Sequence, residues 1–197
     1  MSLVELIARA DERGLAASGL ACLDRCVALL GGDDEILRPL WASLADGSDA
    51  EEWTVRLAEA RVKLDTGEPD EPEPSGASGA FAEGEAALLA RRMLAAAPAT
   101  RSAAGVREWA DACSVAALRI HRLLDLSPDG ASSVESRREG RTEGMSPLVA
   151  AELRRQITVL ELLAGHGSGG LRQVIAVSTE GRRVLRAVVS RRARGRA

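Results

Sequence analysis

Three cysteines (Cys22, Cys26, Cys113) and two histidines (His121, His166) are the side chains here best suited to metal binding or nucleophilic chemistry. Cys22 and Cys26 stand four apart, so a helix would offer both thiolates on one face to a single ion. A closed site needs two more ligands. Cys113 and His121 lie about 12 Å apart along a helix, too far to share an ion, so His166 would have to join. Small cysteines packed against alanine explain the trio without a metal, and none is expected. His121 sits among Arg119, Arg122 and Asp125, which suggests a surface or edge position. Asp33-Asp34-Glu35 falls at an expected helix start, where negative charge complements the dipole. The run GHGSGG (Gly165–Gly170) lacks the preceding strand and the lysine of a phosphate loop, so it reads as a flexible connector. No Gly-x-Ser-x-Gly elbow, Walker lysine, HExxH pair or paired-carboxylate motif is present. No catalytic residue, cofactor or enzymatic activity is therefore expected.

Charge is the stronger signal. Residues 1–84 carry 18 acids against 7 bases, a net of −11, whereas residues 85–197 carry 11 acids against 19 arginines, a net of +8. Such polarity fits two bodies or faces that attract each other, or a basic half reserved for an acidic partner. With no Tyr, one Phe and three Trp, the core must be built from Ala, Leu and Val, which favour closely packed helices. The 25 arginines to one lysine suit a GC-rich bacterial coding bias, while arginine chosen for carboxylate or phosphate forks is the sharper alternative. The start lacks a basic segment followed by an apolar run, and no stretch reaches the ~20 apolar residues that cross a bilayer. An odd cysteine count in a chain of this size points to a reducing cytoplasm.

The elements that must position these groups are helices. Ser2 and Glu5 form a capping box whose helix should run to about Arg13, ahead of Gly14. Leu15–Leu30 is a second helical run, stopped by Gly31-Gly32. A third, Asp34–Leu44, should start late or bend at Pro39. Ser48 to Glu51 opens a fourth, with Trp53, Leu57, Ala60 and Leu64 on one face. These make an acidic N-terminal bundle, residues 1–65. Residues 66–79 hold three prolines and four acids without a base or a large apolar side chain, the composition of a solvated linker. The basic region, 80–197, opens with helices Ala80–Ala97 and Ser102–Leu126, the latter striped by Trp109, Cys113, Ala116, Ile120 and Leu124. Residues 131–145 stay open between loop and short helix, and Ser146-Pro147 launches a helix to Ala164. The fold class expected is mainly α, about seven to eight helices in one or two bundles.

The C-terminal stretch 171–197 holds eight arginines and one glutamate. It admits two arrangements. In one it is a single amphipathic helix, with Val174, Ile175, Leu185, Val188 and Val189 on the apolar arc and Arg172, Arg183, Arg186 and Arg194 solvated. In the other, a short hairpin or wing occupies 171–178, and Thr179 caps a final helix. VSTEGRRVL (Val177–Leu185) in that second arrangement resembles the distal part of winged-helix regulators of the MarR type. The resemblance implies that Ser146, Arg154 and Arg155 face the DNA major groove, that Val134–Gly140 forms the preceding helix, and that Arg172 sits in the wing. The turn before the matched recognition helix is longer and richer in glycine than in that family, and the wing lacks its Asp-Arg pair.

Two functions follow as expectations. The first is a protein–protein interaction or regulatory adaptor module, with a protein partner or a second copy of the chain held by apolar faces and steered by charge. The second is a DNA-binding regulator using residues 131–197. For either, the contact residues expected are Arg154, Arg155, Arg172, Arg182, Arg183, Arg186, Arg191, Arg192 and Arg194.

Overall fold

The computed structural model describes residues 1–33, 35–45, 50–64, 78–127, 129–130, 132–166 and 169–194. Among these residues the chain forms nine α-helices and one 3₁₀ turn, with no strand. The mainly helical expectation holds.

Helix α1 (Leu3–Arg9) begins with the capping box: Ser2 N donates to Glu5 Oε2 at 2.8 Å, and Glu5 N donates to Ser2 Oγ at 3.3 Å. It stops at Ala10, short of the expected Arg13. Asp11 caps the next helix through a 2.7 Å bond from Gly14 N, so Gly14 lies in a first turn rather than at a break. Helix α2 (Glu12–Cys26) is buried at every residue from Gly14 onward and is the axis of the molecule. A helix with no exposed face must be enclosed by neighbours, and helices α3, α5, α6, α8 and α9 all pack on it, burying even its Asp24 and Arg25. The 3₁₀ turn Val27–Leu30 follows, closed by Gly31 at φ 71°, a left-handed conformation that glycine adopts without strain.

Helix α3 (Arg38–Ala45) begins one residue before Pro39, where the missing N–H costs nothing. Helix α4 (Ala50–Leu64) buries Trp53, Leu57, Ala60 and Leu64, as their spacing predicts. Trp53 Nε1 donates to Pro98 O at 2.9 Å, and its ring meets Trp109 edge-on with centroids 6.0 Å apart. Asp34, the capping residue Ser48 and linker residues 66–77 lie outside the described residues. Ser78 and Gly79, read as the linker's end, belong to helix α5 (Ser78–Ala95). Arg61 on α4 donates to the carbonyls of Leu94, Ala95 and Ala97, so a cation closes the C-terminus of α5.

Helix α6 (Ala103–Leu124), capped by Ser102, runs across α2 and α5. The ambiguous stretch contains a short helix, α7 (Val134–Arg138). Helices α8 (Pro147–His166) and α9 (Gly170–Arg194) complete the bundle. Of the two arrangements open for 171–178, the single helix forms and the hairpin does not: those residues are the first turns of α9. Tertiary burial decides against the β-branched local pattern. Leu171, Val174, Ser178, Gly181, Arg182 and Leu185 are buried, a helical period along one face. Apolar side chains from Leu3 to Leu185 form one core cluster, to which helices before and after the linker contribute.

Candidate interaction face

The nine arginines separate by direction. Arg182 turns inward and its guanidinium binds the Asp24 carboxylate of α2. Arg155 is largely covered and lies 3.9 Å from Glu180. Arg192 lies 3.5 Å from Glu83 of α5 and donates to Leu124 O at 3.3 Å. Arg154, Arg172, Arg183, Arg186, Arg191 and Arg194 are exposed. At 3.6 residues per turn, Arg172, Arg183, Arg186 and Arg194 fall within an arc of roughly 80° and extend along about 33 Å of α9. The solvated arc expected of an amphipathic helix is therefore the arc observed.

Beside this stripe, the end of α9 meets the end of α6 and the start of α8 in an open groove of about 420 Å³. Leu124, Leu148, Ala151, Val184 and Val188 supply apolar walls, and Arg191 and Arg192 border it. Leu126 lines it too and is 74% exposed, an apolar side chain left outside the core. Asp125 stands at the groove with its carboxylate accepting from Ser127 N at 2.9 Å and Leu148 N at 2.8 Å, so it also caps α8. The groove thus offers apolar contact flanked by cations on α9 and one carboxylate on the α6 side.

The structure places the winged-helix elements differently from the resemblance. Ser146 is buried, its N–H bound to Asp129 Oδ1 at 2.8 Å. Helix α8 packs against α1, α2, α6 and α9, so little of its length is left to enter a DNA groove. Arg137 and Arg138 of α7 are buried: Arg137 donates to the carbonyls of Arg141 and Glu143, tying down the following loop, and Arg138 binds Asp111 and Ser114.

A second constellation lies wholly inside. Arg25 of α2 forms a bidentate pair with Glu152 of α8, Nε to Oε2 at 2.8 Å and a terminal nitrogen to Oε1 at 2.6 Å, both side chains fully buried. Gln156 Nε2 donates to Glu152 Oε1 at 2.9 Å, and Ser114 Oγ donates to Gln156 Oε1 at 2.7 Å. His121 is buried, correcting the surface expectation: its Nδ1 lies 2.7 Å from Ala117 O and its Nε2 3.5 Å from Glu152 Oε2. Burial alone would push Glu152 up, but the Arg25 charge, with the hydrogen bonds from Arg25 and Gln156, brings its pKa down to about 2. Burial lowers His121 against the pull of Glu152, favouring a neutral ring with its proton on Nδ1. Desolvation pushes the Cys22 thiol up to about 12 and holds Cys26 and Cys113 well above their ordinary value, so none supplies a thiolate near neutrality. Among the described residues, no group of three His, Cys, Asp or Glu side chains is placed to hold a metal ion. The sequence reading missed this network, because its members are far apart in the chain. The signal available was a charge on an apolar helical arc: Arg25 between Cys22 and Cys26, and Glu152 beside Leu153.

No protein-family model, curated protein or solved structure matches this chain. Among the described residues, no helix is long and apolar enough to cross a membrane.

Proposed function

We propose that this protein is a non-enzymatic interaction module, a helical adaptor that receives a protein partner on the α6–α8–α9 face. One observation carries the reading: an apolar groove bordered by Arg191 and Arg192 lies against the exposed arginines of α9. Apolar walls supply burial energy, and flanking cations select and orient an acidic segment. Arg182 and Arg192, bound to Asp24 and Glu83, act as fasteners that hold α9 rigid beneath this surface.

The test is purification of the full chain at low salt, alone and with Arg191→Glu and Arg194→Glu combined. A stoichiometric bound protein, or a second copy, that is lost in the reversed variant supports the reading. A chain that purifies alone and sediments as a salt-independent monomer overturns it.

A DNA-binding role is favoured by a separate feature, the stripe of Arg172, Arg183, Arg186 and Arg194. Phosphate contacts of that kind require retardation of random duplex that weakens steeply from low to moderate salt.

A further inference from the structure

The surface best matched to the groove lies in the other half of the same chain. Helix α4 buries one face and leaves the opposite one bare: Val55 is 53% exposed and Val62 79%, with exposed Ala58 between them. Their spacing, three then four residues, makes a stripe about 10 Å long on one side of the helix. Exposed Glu51 and Glu59 flank it, and exposed Lys63 stands at its C-terminal end. In sequence, the stretch 46–73 around this helix holds ten acids against three bases.

We propose that the bare stripe of α4 in one copy of this chain docks in the α6–α8–α9 groove of another, joining copies head to tail. The charges match with a direction. Glu51 and Glu59 answer the exposed Arg191, while Lys63 answers Asp125 at the groove's other side. The two surfaces cannot meet within one molecule. Helix α4 is fastened beside Trp109, through the Trp53 stack, and to the carbonyls of residues 94–99. The groove begins at Leu124, about 22 Å further along α6, and the stripe faces away from that attachment. A contact between different surfaces at opposite ends of a molecule is heterologous, so it repeats into a ring or an open chain rather than closing as a two-fold dimer.

This inference rests on the interaction reading above, and the experiment separates the two. Sedimentation velocity of the full chain at low salt should show mass rising with concentration beyond a dimer and falling as salt is added. Val62→Glu, which spoils only the stripe, and Leu126→Glu with Arg191→Glu, which spoils only the groove, should each be monomeric. All three sites are exposed, and unchanged helical circular dichroism checks the folds, with Val62→Ser and Arg191→Ala as milder substitutes. Mixed one to one, the two variants should form a dimer and nothing larger, since one intact stripe remains for one intact groove. A wild-type monomer at every concentration, self-association by either variant alone, or a mixture that stays monomeric overturns the proposal. If a foreign protein occupies the wild-type chain instead, the head-to-tail arrangement fails and the interaction reading stands.

Discussion

The buried pair Arg25–Glu152 sets the terms at the level of single side chains. Two charges removed from water repay that cost only if both stay paired. Glu152→Gln therefore strands a guanidinium in the core and should cost about 3–5 kcal/mol in urea unfolding, whereas Arg25→Met with Glu152→Leu should recover most of the loss. The pH dependence has a definite sign. His121 is lowered, so the unfolded chain binds a proton that the folded core refuses, and stability falls as pH drops through 6.5. Glu152 is depressed, so its contribution is present above its ordinary 4.5 and is lost as pH falls toward about 2. Asp24, raised by burial, works in the opposite sense just above 3.8. The urea midpoint should drop between about pH 7 and pH 5, and His121→Gln should flatten that slope. Gly181 is a further contact: a Cβ there would lie 2.3 Å from Arg25 Cδ and 3.1 Å from Arg155 Cδ. Gly181→Ala should destabilise by about 1–3 kcal/mol despite alanine's better helix propensity, because the enclosed Arg25 cannot step aside.

Among the helices, α4 is held by few partners: α3, the Trp109 indole against its own Trp53, the Pro98 and Ala99 carbonyls, and the Arg61 clamp on the end of α5. Arg61→Met should leave the remaining helices intact while amide exchange in α4 quickens selectively, read by hydrogen-exchange mass spectrometry. The helices themselves were legible wherever the signal was local. Ser2 with Glu5 and Ser102 mark starts that the structure reproduces, because capping there is settled within four residues; α8 also starts at Pro147 as expected, but Asp125 rather than Ser146 caps it. The break at Ala10–Asp11 was hidden behind Gly14, which suggests an ending because it lacks a side chain but here only occupies a first turn. The 171–178 region was undecidable locally, since Val174, Ile175 and Val177 suit a strand as well as a helix. Burial of Gly181, Arg182 and Leu185 against α2 and α8 resolves it. Of the arginines, the exposed arc followed from periodicity, but the inward turns of Arg155, Arg182 and Arg192 depend on Glu180, Asp24 and Glu83 being brought near by the fold.

For the whole molecule, the segregated charge seen in sequence is partly spent internally: Asp24 meets Arg182, Glu12 meets Arg101 and Glu83 meets Arg192, each joining the acidic half (1–84) to the basic half (85–197). What stays outside, the α9 stripe and the groove beside it, makes solution behaviour depend on salt. Sedimentation should show association weakening as the Debye length shrinks from ~30 Å at 0.01 M to ~8 Å at physiological ionic strength. The central place of α2 has a temporal consequence. Its partners Glu152 and Arg182 lie 127 and 158 residues downstream. A ribosome adding ~5–20 residues per second leaves α2 waiting roughly 10–30 s, with the Arg25 charge unmatched, before α9 can enclose it. During synthesis the nascent N-terminal segment thus carries an open core, which closes only once α9 has been made.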